Sequence, residues 1–365
     1  MLKLLVDAHV FDGKFQGTRT YIEGIYTNLV KHADIDFYFA ANNIDTLKKV
    51  FGEAANIHYV KLNSKKNIIR LAVEFPSIIK RLNIDLAHFQ YISPLKKRCK
   101  EIVTVHDLLF LDYPEYFPKS YRVKNDILFK RSAKRADLLL TVSQFSKNEI
   151  VRHFGIGENR IFITPNGVLL PNDNMPLPDV KKRYGLDRFI LTVSRIEPRK
   201  NHQMLLRAYA ELKLYEQGIK LVMVGVKDLD NKAFNDYFDR LPDKIKDCVL
   251  IKQIGYDELI ALYKTADLFV FPSFAEGFGI PPIEAIALGC TTLCSNKTAM
   301  ADFDFLGDKL FDPYDIDELK SKMLFYLNHD DCKIKEEQDI IAQRYDWSAT
   351  AEKLYECICR VSKIS

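Results

Sequence analysis

The chain has 365 residues, which is too long for one ordinary hydrophobic core and corresponds to about two domains. Its composition, 47% hydrophobic and 28% charged, is that of a soluble globular protein, and no uncharged stretch is suited to a membrane span. The net charge is +4, but residues 1–170 carry 26 basic and 17 acidic side chains, whereas residues 171–365 carry 27 and 32. This asymmetry predicts an anionic surface or substrate near the first half.

The seven cysteines and eight histidines show no spacing typical of a structural metal site. There is no C-x-x-C, H-x-H or H-x-x-x-H pair, whereas structural zinc takes paired ligands at short spacing. Cys290 and Cys294 are flanked by apolar residues, which predicts reduced, buried thiols. The sequence therefore favours a cytoplasmic protein without a structural metal. The short apolar run before Asp7 favours a first strand over a signal peptide.

Short β-like runs alternate with amphipathic helical patterns along the chain. In the first half the runs are KLLVDAHV, DFYFAA, IHYVKL, IDLAHF, EIVTVHD, LLLTVS and IFITP. In the second half they are RFILTVS, IKLVMVGV, CVLIKQIG, DLFVFPS and TTLCSN. The helical patterns between them include YIEGIYTNLVKH, QMLLRAYAELKLY and DELIALYKTA. This alternation indicates βαβ units, and runs that are apolar on both faces indicate parallel strands covered by helices.

Two doubly wound α/β domains are therefore predicted. The boundary falls in PNGVLLPNDNMPLP, a stretch rich in Pro, Asn and Gly. This places one domain at residues 1–170, a second at 171–347 and a final amphipathic helix at 348–365. Ligands of such sheets bind beyond the carboxyl ends of the strands, and a cleft between two such domains is the expected site.

FPSFAEGFGIPPIEAIALG, residues 271–289, places two glutamates around a glycine-containing loop that follows a strand. Proline is favourable at the first helical position, so a helix is predicted from Pro281 or Pro282, with N-terminal amides suited to an anion. Glu284, in the predicted first turn, could accept hydrogen bonds from two vicinal hydroxyls such as those of a ribose. In the alternative interpretation, Glu284 only complements the helix dipole and Glu276 is a solvated loop residue.

LTVSRIEPRKNH places basic residues directly after another predicted strand. Arg195 and Lys200 bracket a Glu-Pro turn and suit a diphosphate, the first as a planar fork and the second as a point charge. Arg199 is the competing candidate, and Asn201 is predicted to cap the next helix. The alternative is a solvated basic loop.

Two loops of the first half are weaker candidates. His106 ends the run EIVTVHD beside Asp107, which suits a position in a cleft, although a structural histidine is the alternative. FDGKFQGTRTYIEGI contains Gly13 and Gly17 before a helix, but it does not match the dinucleotide fingerprint G-x-G-x-x-G. Gly17 could still offer its amide to a phosphate.

Taken in their order along the chain, these sequence motifs resemble those of the retaining glycosyltransferases of family 4, which have the GT-B fold. The E-x7-E spacing in EGFGIPPIE, between FPS and AIALG, is the most specific part together with SRIEPRKNH. The early glycine loop, VHD, TVSQFSKNEI, TPNGV and DELIALYKTADLFVFPS fit as well, so the resemblance covers nearly the whole chain. It implies two Rossmann-like doubly wound domains facing a central cleft, with the last helix crossing back to the first domain.

The resemblance also implies which residues bind the donor, a nucleotide-diphosphate sugar. Those implied to act in catalysis are His106, Arg195, Lys200 and Glu276. Those implied to bind the donor are Gly17, Gly277, Phe278, Gly279 and Glu284. In the family the second glutamate of the motif holds the ribose, the basic pair binds the diphosphate, and the first glutamate, the following amides and the histidine meet the sugar. Gly17 would approach the phosphates, but the loop QGTRTYIEG lacks the double glycine of many relatives, so Arg19 could share that role.

The expected function is hexose transfer with retention, from a donor such as GDP-mannose or a UDP-hexose. The expected acceptor is a glycan or lipid-linked molecule in the biosynthesis of a cell-surface polysaccharide such as lipopolysaccharide. Neither a metal nor another cofactor is expected, and neither is a nucleic-acid partner.

Three alternatives are kept. They are an inactive GT-B protein that binds sugar nucleotides, a GT-B enzyme that phosphorolyses or epimerises sugars, and a metal-dependent GT-A transferase with a D-x-D motif. The D-x-D triplets at 228–230, 302–304 and 315–317 all lie in the second half, whereas the GT-A fold carries its motif in the first.

Two basic stretches predict a peripheral contact with the inner face of a membrane or with a lipid-linked acceptor. Residues 61–100 contain ten basic and two acidic side chains, and residues 119–135 mix lysine and arginine with isoleucine, leucine and phenylalanine. Such a mixture suits an interfacial helix on anionic lipid. An ordinary solvated face is the alternative, and residues 61–100 lack the interleaving of aromatic with basic residues that is expected for stacking on nucleic-acid bases.

Overall fold

The computed structural model of the protein describes residues 1–13, 16–171, 175–226 and 231–362. The chain divides into two compact units. The first consists of Met1–Gly167 and Tyr345–Ser365, and the second is Val168–Arg344. The first contains a seven-stranded sheet and the second a six-stranded sheet, and every strand pairing in both is parallel.

The sheet of the first unit is doubly wound. Its strands are β1 (Leu2–Asp7), β2 (Ile35–Ala41), β3 (Ile57–Lys61), β4 (Leu86–Gln90), β5 (Lys100–Thr104), β6 (Leu138–Thr141) and β7 (Ile161–Ile163). Their order across the sheet is β3-β2-β1-β4-β5-β6-β7, so the direction of winding reverses between β1 and β4. The central strands are apolar on both faces, and Leu4, Leu5 and Val6 are fully buried, as parallel strands between two layers of helices require.

The helices of the first unit are α1 (Gly17–Leu29), α2 (Ile44–Phe51), α3 (Asn67–Ile69), α4 (Phe75–Leu82), α5 (Leu109–Asp112), α6 (Lys119–Arg135), α7 (Gln144–Phe154) and, from the far end of the chain, α16 (Trp347–Ser362). A π-helical turn, Arg70–Glu74, joins α3 to α4.

The second unit repeats the same winding. Its strands are β8 (Arg188–Val193), β9 (Ile219–Val224), β10 (Val249–Lys252), β11 (Leu268–Phe271), β12 (Thr292–Ser295) and β13 (Leu310–Phe311). Its helices are α8 (Val180–Tyr184), α9 (His202–Glu211), α10 (Lys232–Arg240), α11 (Asp243–Lys246), α12 (Tyr256–Thr265), α13 (Ile280–Ala287), α14 (Ile316–Asn328) and α15 (Ile334–Arg344). The strand order is β10-β9-β8-β11-β12-β13, with the reversal between β8 and β11.

The two doubly wound α/β sheets confirm the predicted fold class, and each of the twelve predicted runs contains a strand. The sequence did not predict β13, which has only two residues. The predicted thiols Cys290 and Cys294 are buried and free. Within the described ranges, no helix is both long enough and apolar enough to cross a bilayer.

Two glycines of the first unit allow α16 to pack closely. The indole ring of Trp347 lies against Gly24 on α1, where an added Cβ would overlap the ring. At Gly167, in the segment TPNGV, an added Cβ would lie 2.8 Å from the Tyr345 carbonyl oxygen and the Trp347 nitrogen. The absence of a side chain at both positions therefore lets the far end of the chain join the first unit.

We expect Gly24→Ala to lower the free energy of unfolding by about 1–3 kcal/mol, because overpacking outweighs the better helix propensity of alanine. Chemical denaturation would measure the change. Gly13→Ala is the matched control, since an added Cβ there meets no atom within 4 Å. A Gly24→Ala protein as stable as the wild type would contradict the close packing of Trp347.

Candidate functional site

The candidate site of the second unit lies at the edge of the sheet where the winding reverses. Strands β8 and β11 are neighbours, although the loops that follow them are more than 70 residues apart in sequence. One loop carries the basic residues of SRIEPRK and the other carries AEGFG. The carboxyl ends of adjacent parallel strands meet at one edge, and a crevice at the reversal is where such sheets bind ligands.

Arg199 ties the two loops together. Its carbonyl oxygen accepts a 2.9 Å hydrogen bond from the Phe274 amide, and its guanidinium donates to the Ala275 carbonyl oxygen. The same guanidinium contacts Glu276 at 3.0 Å and Glu197 at 2.7 Å. The Arg199 side chain is only 9% exposed, so this competitor for the diphosphate is already engaged with protein groups.

Glu276 is the centre of a buried ion cluster. Its carboxylate pairs with Lys200 as well as Arg199 and accepts a 2.6 Å hydrogen bond from the Ser273 hydroxyl. Burial alone would raise the pKa of Glu276, but the two cations outweigh burial and hold the pKa at about 2. Glu276 is therefore a fixed anion at neutral pH. The alternative of a solvated loop residue is wrong, because Glu276 is only 8% exposed.

Lys200 and Arg195 occupy different environments in the same loop. The Lys200 side chain is 11% exposed beside Glu276, and burial lowers the pKa of its ammonium group, with Arg199 acting in the same direction. The Arg195 side chain is 53% exposed, and its guanidinium lies 3.5 Å from a Glu197 carboxylate oxygen. The loop therefore exposes the Arg195 guanidinium to solvent and holds the Lys200 ammonium in a fixed position beside Glu276.

Asn201 occupies the N-cap position of α9, but it does not cap the helix as the sequence predicted. It adopts a left-handed conformation with φ +55°, and its side chain makes no capping hydrogen bond. Its amide instead donates to the Pro313 carbonyl oxygen at 3.0 Å. The residue therefore ties the basic loop to the segment that follows β13.

The helix after AEGFG begins slightly earlier than predicted. Helix α13 starts at Ile280, directly after Gly279, whose φ of +100° suits glycine. Glu284 is consequently the fifth helical residue and lies in the second turn, so its predicted place in the first turn is wrong. The early start arises because Gly279 ends the loop with a left-handed residue, which leaves Ile280 free to take the first helical position.

Glu284 differs sharply from Glu276 in its electrostatics. It is half-buried and accepts a 3.2 Å hydrogen bond from the Tyr263 hydroxyl. Burial raises the pKa of Glu284 to about 7, and the Tyr263 hydrogen bond only partly opposes that rise. The second glutamate therefore titrates near neutrality, whereas the first stays ionised. Tyr263 was not singled out in the sequence, because it lies inside the apolar pattern of α12.

The first unit carries the remaining candidates. His106 follows β5 by two residues and is 8% exposed, and its Nε2 lies 2.7 Å from the Gln90 Oε1 atom. Burial lowers the pKa of His106 to about 3, so the ring is neutral at physiological pH. Gly17 is the first residue of α1, and Arg19, two residues later, pairs with Glu23 at 3.7 Å.

The D-x-D alternative gains no support from the described triplets. Asp315 caps α14 by accepting from the amides of Asp317 and Glu318, and Asp304 pairs with Arg344 at 2.8 Å. The triplet at 228–230 lies outside the described residues. Across the described ranges, the group able to hold a metal ion is Asp112, Glu149 and His153, and Arg152 already bonds to both of its carboxylates.

Comparison with known sequences assigns the chain to a family. Residues 177–347 match the family described as "Glycosyl transferases group 1", and residues 16–170 match "Glycosyltransferase Family 4". Together the two matches leave out only residues 1–15, 171–176 and 348–365. The chain belongs to the family 4, group 1 glycosyltransferases.

Individual relatives agree with this assignment. The O-antigen chain mannosyltransferase B of Escherichia coli is 31% identical over 240 residues, which are 63% of this glycosyltransferase chain and 62% of that protein. The serotype-specific mannosyltransferase WbdA of Escherichia coli is 28% identical over 279 residues, 73% of this chain and 34% of WbdA. The chain thus spans less than two thirds of the length of either relative.

A solved structure shows the same fold. The sucrose-phosphate synthase of Thermosynechococcus elongatus superposes with a TM-score of 0.76 at 17% identity, covering 100% of this chain and 99% of that one. At such an identity the likeness concerns the fold alone. The fold is the two-domain α/β GT-B fold, as the sequence predicted.

We expect Glu284→Gln to stabilise the protein at pH 8.5 by about 2 kcal/mol and to change little at pH 5. The folded pKa of about 7 lies above the ordinary value of 4.5, so the unfolded state loses its proton first. Stability therefore falls as the pH rises from about 4.5 to 7, and the amide avoids that loss. Urea denaturation at both pH values would measure it. The exposed Glu356→Gln is the control, and an equal effect of Glu284→Gln at both pH values would contradict the raised pKa.

Proposed function

We propose that the protein transfers a hexose, with mannose the first candidate, from a nucleotide-diphosphate sugar to a glycan or lipid-linked acceptor of a cell-surface polysaccharide. The observation that carries the proposal is the ion cluster of Lys200, Glu276 and Arg199 at the winding reversal, beside the N-terminus of α13. The mannosyltransferase names of the relatives favour mannose, although those names describe other proteins.

The electrostatics of the cluster suit departure of a diphosphate. Breaking the bond between sugar and phosphate builds negative charge on the leaving diphosphate, and fixed positive groups stabilise that charge. Arg195 and Lys200 supply two cations in one loop, and the positive end of the α13 helix dipole adds partial positive charge. We assign the diphosphate to these groups.

The two glutamates would then have separate roles. Glu276 remains ionised above a pH of about 2, so it is unsuited to proton transfer at neutral pH and instead orients Lys200. Its carboxylate and the amides of Gly277, Phe278 and Gly279 would receive the hydroxyls of the transferred sugar. Glu284 would hold the ribose, in place of its hydrogen bond with Tyr263.

Retention of the anomeric configuration and independence of a metal are part of the proposal. Both follow from the resemblance to family 4, and the cations described above provide the charge that a metal would otherwise supply. Activity assays distinguish this proposal from the alternative of an inactive protein that binds sugar nucleotides. The donor would raise the thermal midpoint of such a protein, but the protein would neither hydrolyse the donor nor transfer the donor's sugar.

We expect Arg195→Ala and Lys200→Ala each to lower turnover by roughly 100- to 1000-fold, the scale of a lost preorganised charge. Transfer from GDP-mannose and UDP-hexoses to a polysaccharide precursor would be followed with radiolabelled donors. Activity should survive EDTA. A full loss with EDTA that manganese restores would overturn the metal-independent mechanism.

Two further variants control this experiment. Arg207→Ala removes a cation that is 46% exposed in the same unit, and its turnover should match the wild type. Arg199→Ala removes the tie between the loops and should lower the thermal midpoint, since loss of one partner of a buried pair costs roughly 3–5 kcal/mol. Arg195→Ala should leave the midpoint unchanged. Equal turnover of Arg195→Ala, Lys200→Ala and wild type would contradict the diphosphate assignment.

The first unit also carries the surface that we propose for an anionic membrane. On α6, Val123 and Ile127 are 56% and 63% exposed and lie one turn apart, and Lys124 and Lys134 are exposed on the same side by helical spacing. Exposed apolar residues with flanking lysines are typical of a helix at the surface of anionic lipid. Ile68, beside two exposed lysines, is 76% exposed.

We expect the protein to float with vesicles that contain anionic lipid at low salt and to bind less at high salt, because each basic residue near the surface adds about 1 kcal/mol. The double variant Val123→Ser and Ile127→Ser should weaken flotation. The matched control is Leu324→Ser with Phe325→Ser, which changes exposed apolar residues of the second unit. Absence of binding at both salt concentrations would refute the proposal.

A further inference from the structure

A chain of buried polar side chains lies behind His106 in the first unit. Gln90, the last residue of β4, places its Oε1 atom 2.7 Å from His106 Nε2 and its Nε2 atom 3.2 Å from His88 Nε2. The other ring nitrogen of His88, Nδ1, lies 2.7 Å from the Tyr26 hydroxyl. Strands β4 and β5 are neighbours, so the register of the sheet brings these residues together.

With the Gln90 amide in this orientation, the hydrogen bonds have one consistent set of directions. An amide oxygen accepts only, so the short contact requires a proton on His106 Nε2. The amide nitrogen of Gln90 donates only, so His88 Nε2 is unprotonated there, and the Thr104 hydroxyl, 2.7 Å from the same nitrogen, can donate to it as well. His88 then carries its proton on Nδ1 and donates to the Tyr26 oxygen.

Because these residues are buried, the hydrogen bonds between them determine which nitrogen of each imidazole carries the proton. Gln90 is 7% exposed and His88 is fully buried, and burial lowers the pKa values of His88 and His106 to about 3. A neutral imidazole has one N–H, and a hydrogen bond at one nitrogen determines the character of the other. The Nδ1 atom of His106 has no hydrogen-bond partner among the described residues, so it is left as an acceptor.

The backbone at His106 is held as firmly as the ring. Its carbonyl oxygen accepts a 2.8 Å hydrogen bond from the buried Ser146 hydroxyl, and the preceding Val105 carbonyl accepts one from Thr141 at 2.7 Å. The Tyr21 ring meets the imidazole edge to face, with ring centres 5.0 Å apart. These contacts restrict the His106 ring to one orientation, in which its Nε2 atom faces Gln90.

We propose that Gln90 is a positioning residue that holds His106 as the Nε2–H tautomer, so that Nδ1 is the acceptor that the ring offers to a sugar hydroxyl. The sugar contact rests on the proposed function, whereas the tautomer is a property of the protein alone. Sequence reasoning missed Gln90, because it directly follows the run IDLAHF, which predicts a buried strand, and matches no motif.

The test uses the full chain labelled with 15N-histidine and observed by long-range 1H–15N NMR. The His106 signals are assigned by their loss in His106→Asn, and we expect a protonated Nε2 and an unprotonated Nδ1. In Gln90→Leu, Nδ1–H should become populated. Gln90→Glu retains an oxygen opposite Nε2 and should retain the tautomer. Gln217→Leu, at an exposed glutamine, is the control.

Binding and turnover then test the sugar contact. Gln90→Leu should lower turnover with a nucleotide sugar by about tenfold, the scale of one hydrogen bond, while the affinity for the nucleoside diphosphate alone stays unchanged. A wild-type Nδ1–H tautomer, or an unchanged tautomer in Gln90→Leu, would overturn the role of Gln90. Because the NMR result needs no substrate, it is decided separately from the transferase activity itself.

Discussion

The rest of the candidate site depends on the ion pairs between Glu276 and its two cations. The carboxylate is buried, so it is stable only because Lys200 and Arg199 lie beside it, and the same contacts hold the loops after β8 and β11 in one arrangement. A neutral residue at 276 would remove the carboxylate that pairs with buried Lys200 and would leave Glu197 as the paired carboxylate of Arg199, which is more costly than the loss of an exposed pair. The first glutamate of the E-x7-E motif therefore has a structural role.

The winding of the sheets explains why distant motifs meet. In the second unit, β9 and β10 lie on one side of β8, and β11 lies on the other, so the loops after β8 and β11 diverge from a shared edge. The first unit repeats the pattern, and there the ends of β4 and β5 bring Gln90 to His106. In both units these polar groups lie at or just beyond the carboxyl ends of the strands.

Much of the fold could be predicted from the sequence, because strands buried on both faces are continuous apolar runs. β13 was missed since two residues form no pattern, and α9 ends at Glu211, before the predicted pattern does, because Lys213 adopts a positive φ. Within the site, the motifs gave the residues but not their partners. That Arg195 faces solvent while Arg199 and Lys200 are buried depends on packing that the sequence does not reveal. The divergence between the pKa values of Glu276 and Glu284 has the same origin.

The contribution of α16 to the first unit has a consequence for biosynthesis. Trp347 covers Gly24 and Gly167, yet it follows the whole of the second unit in the chain. During translation the second unit can complete its sheet while the first still lacks a helix and exposes the apolar surface that Trp347 will cover. The N-terminal domain usually folds first, but here its final packing step follows the folding of the second unit. The growing chain is therefore prone to aggregation until α16 has been synthesised.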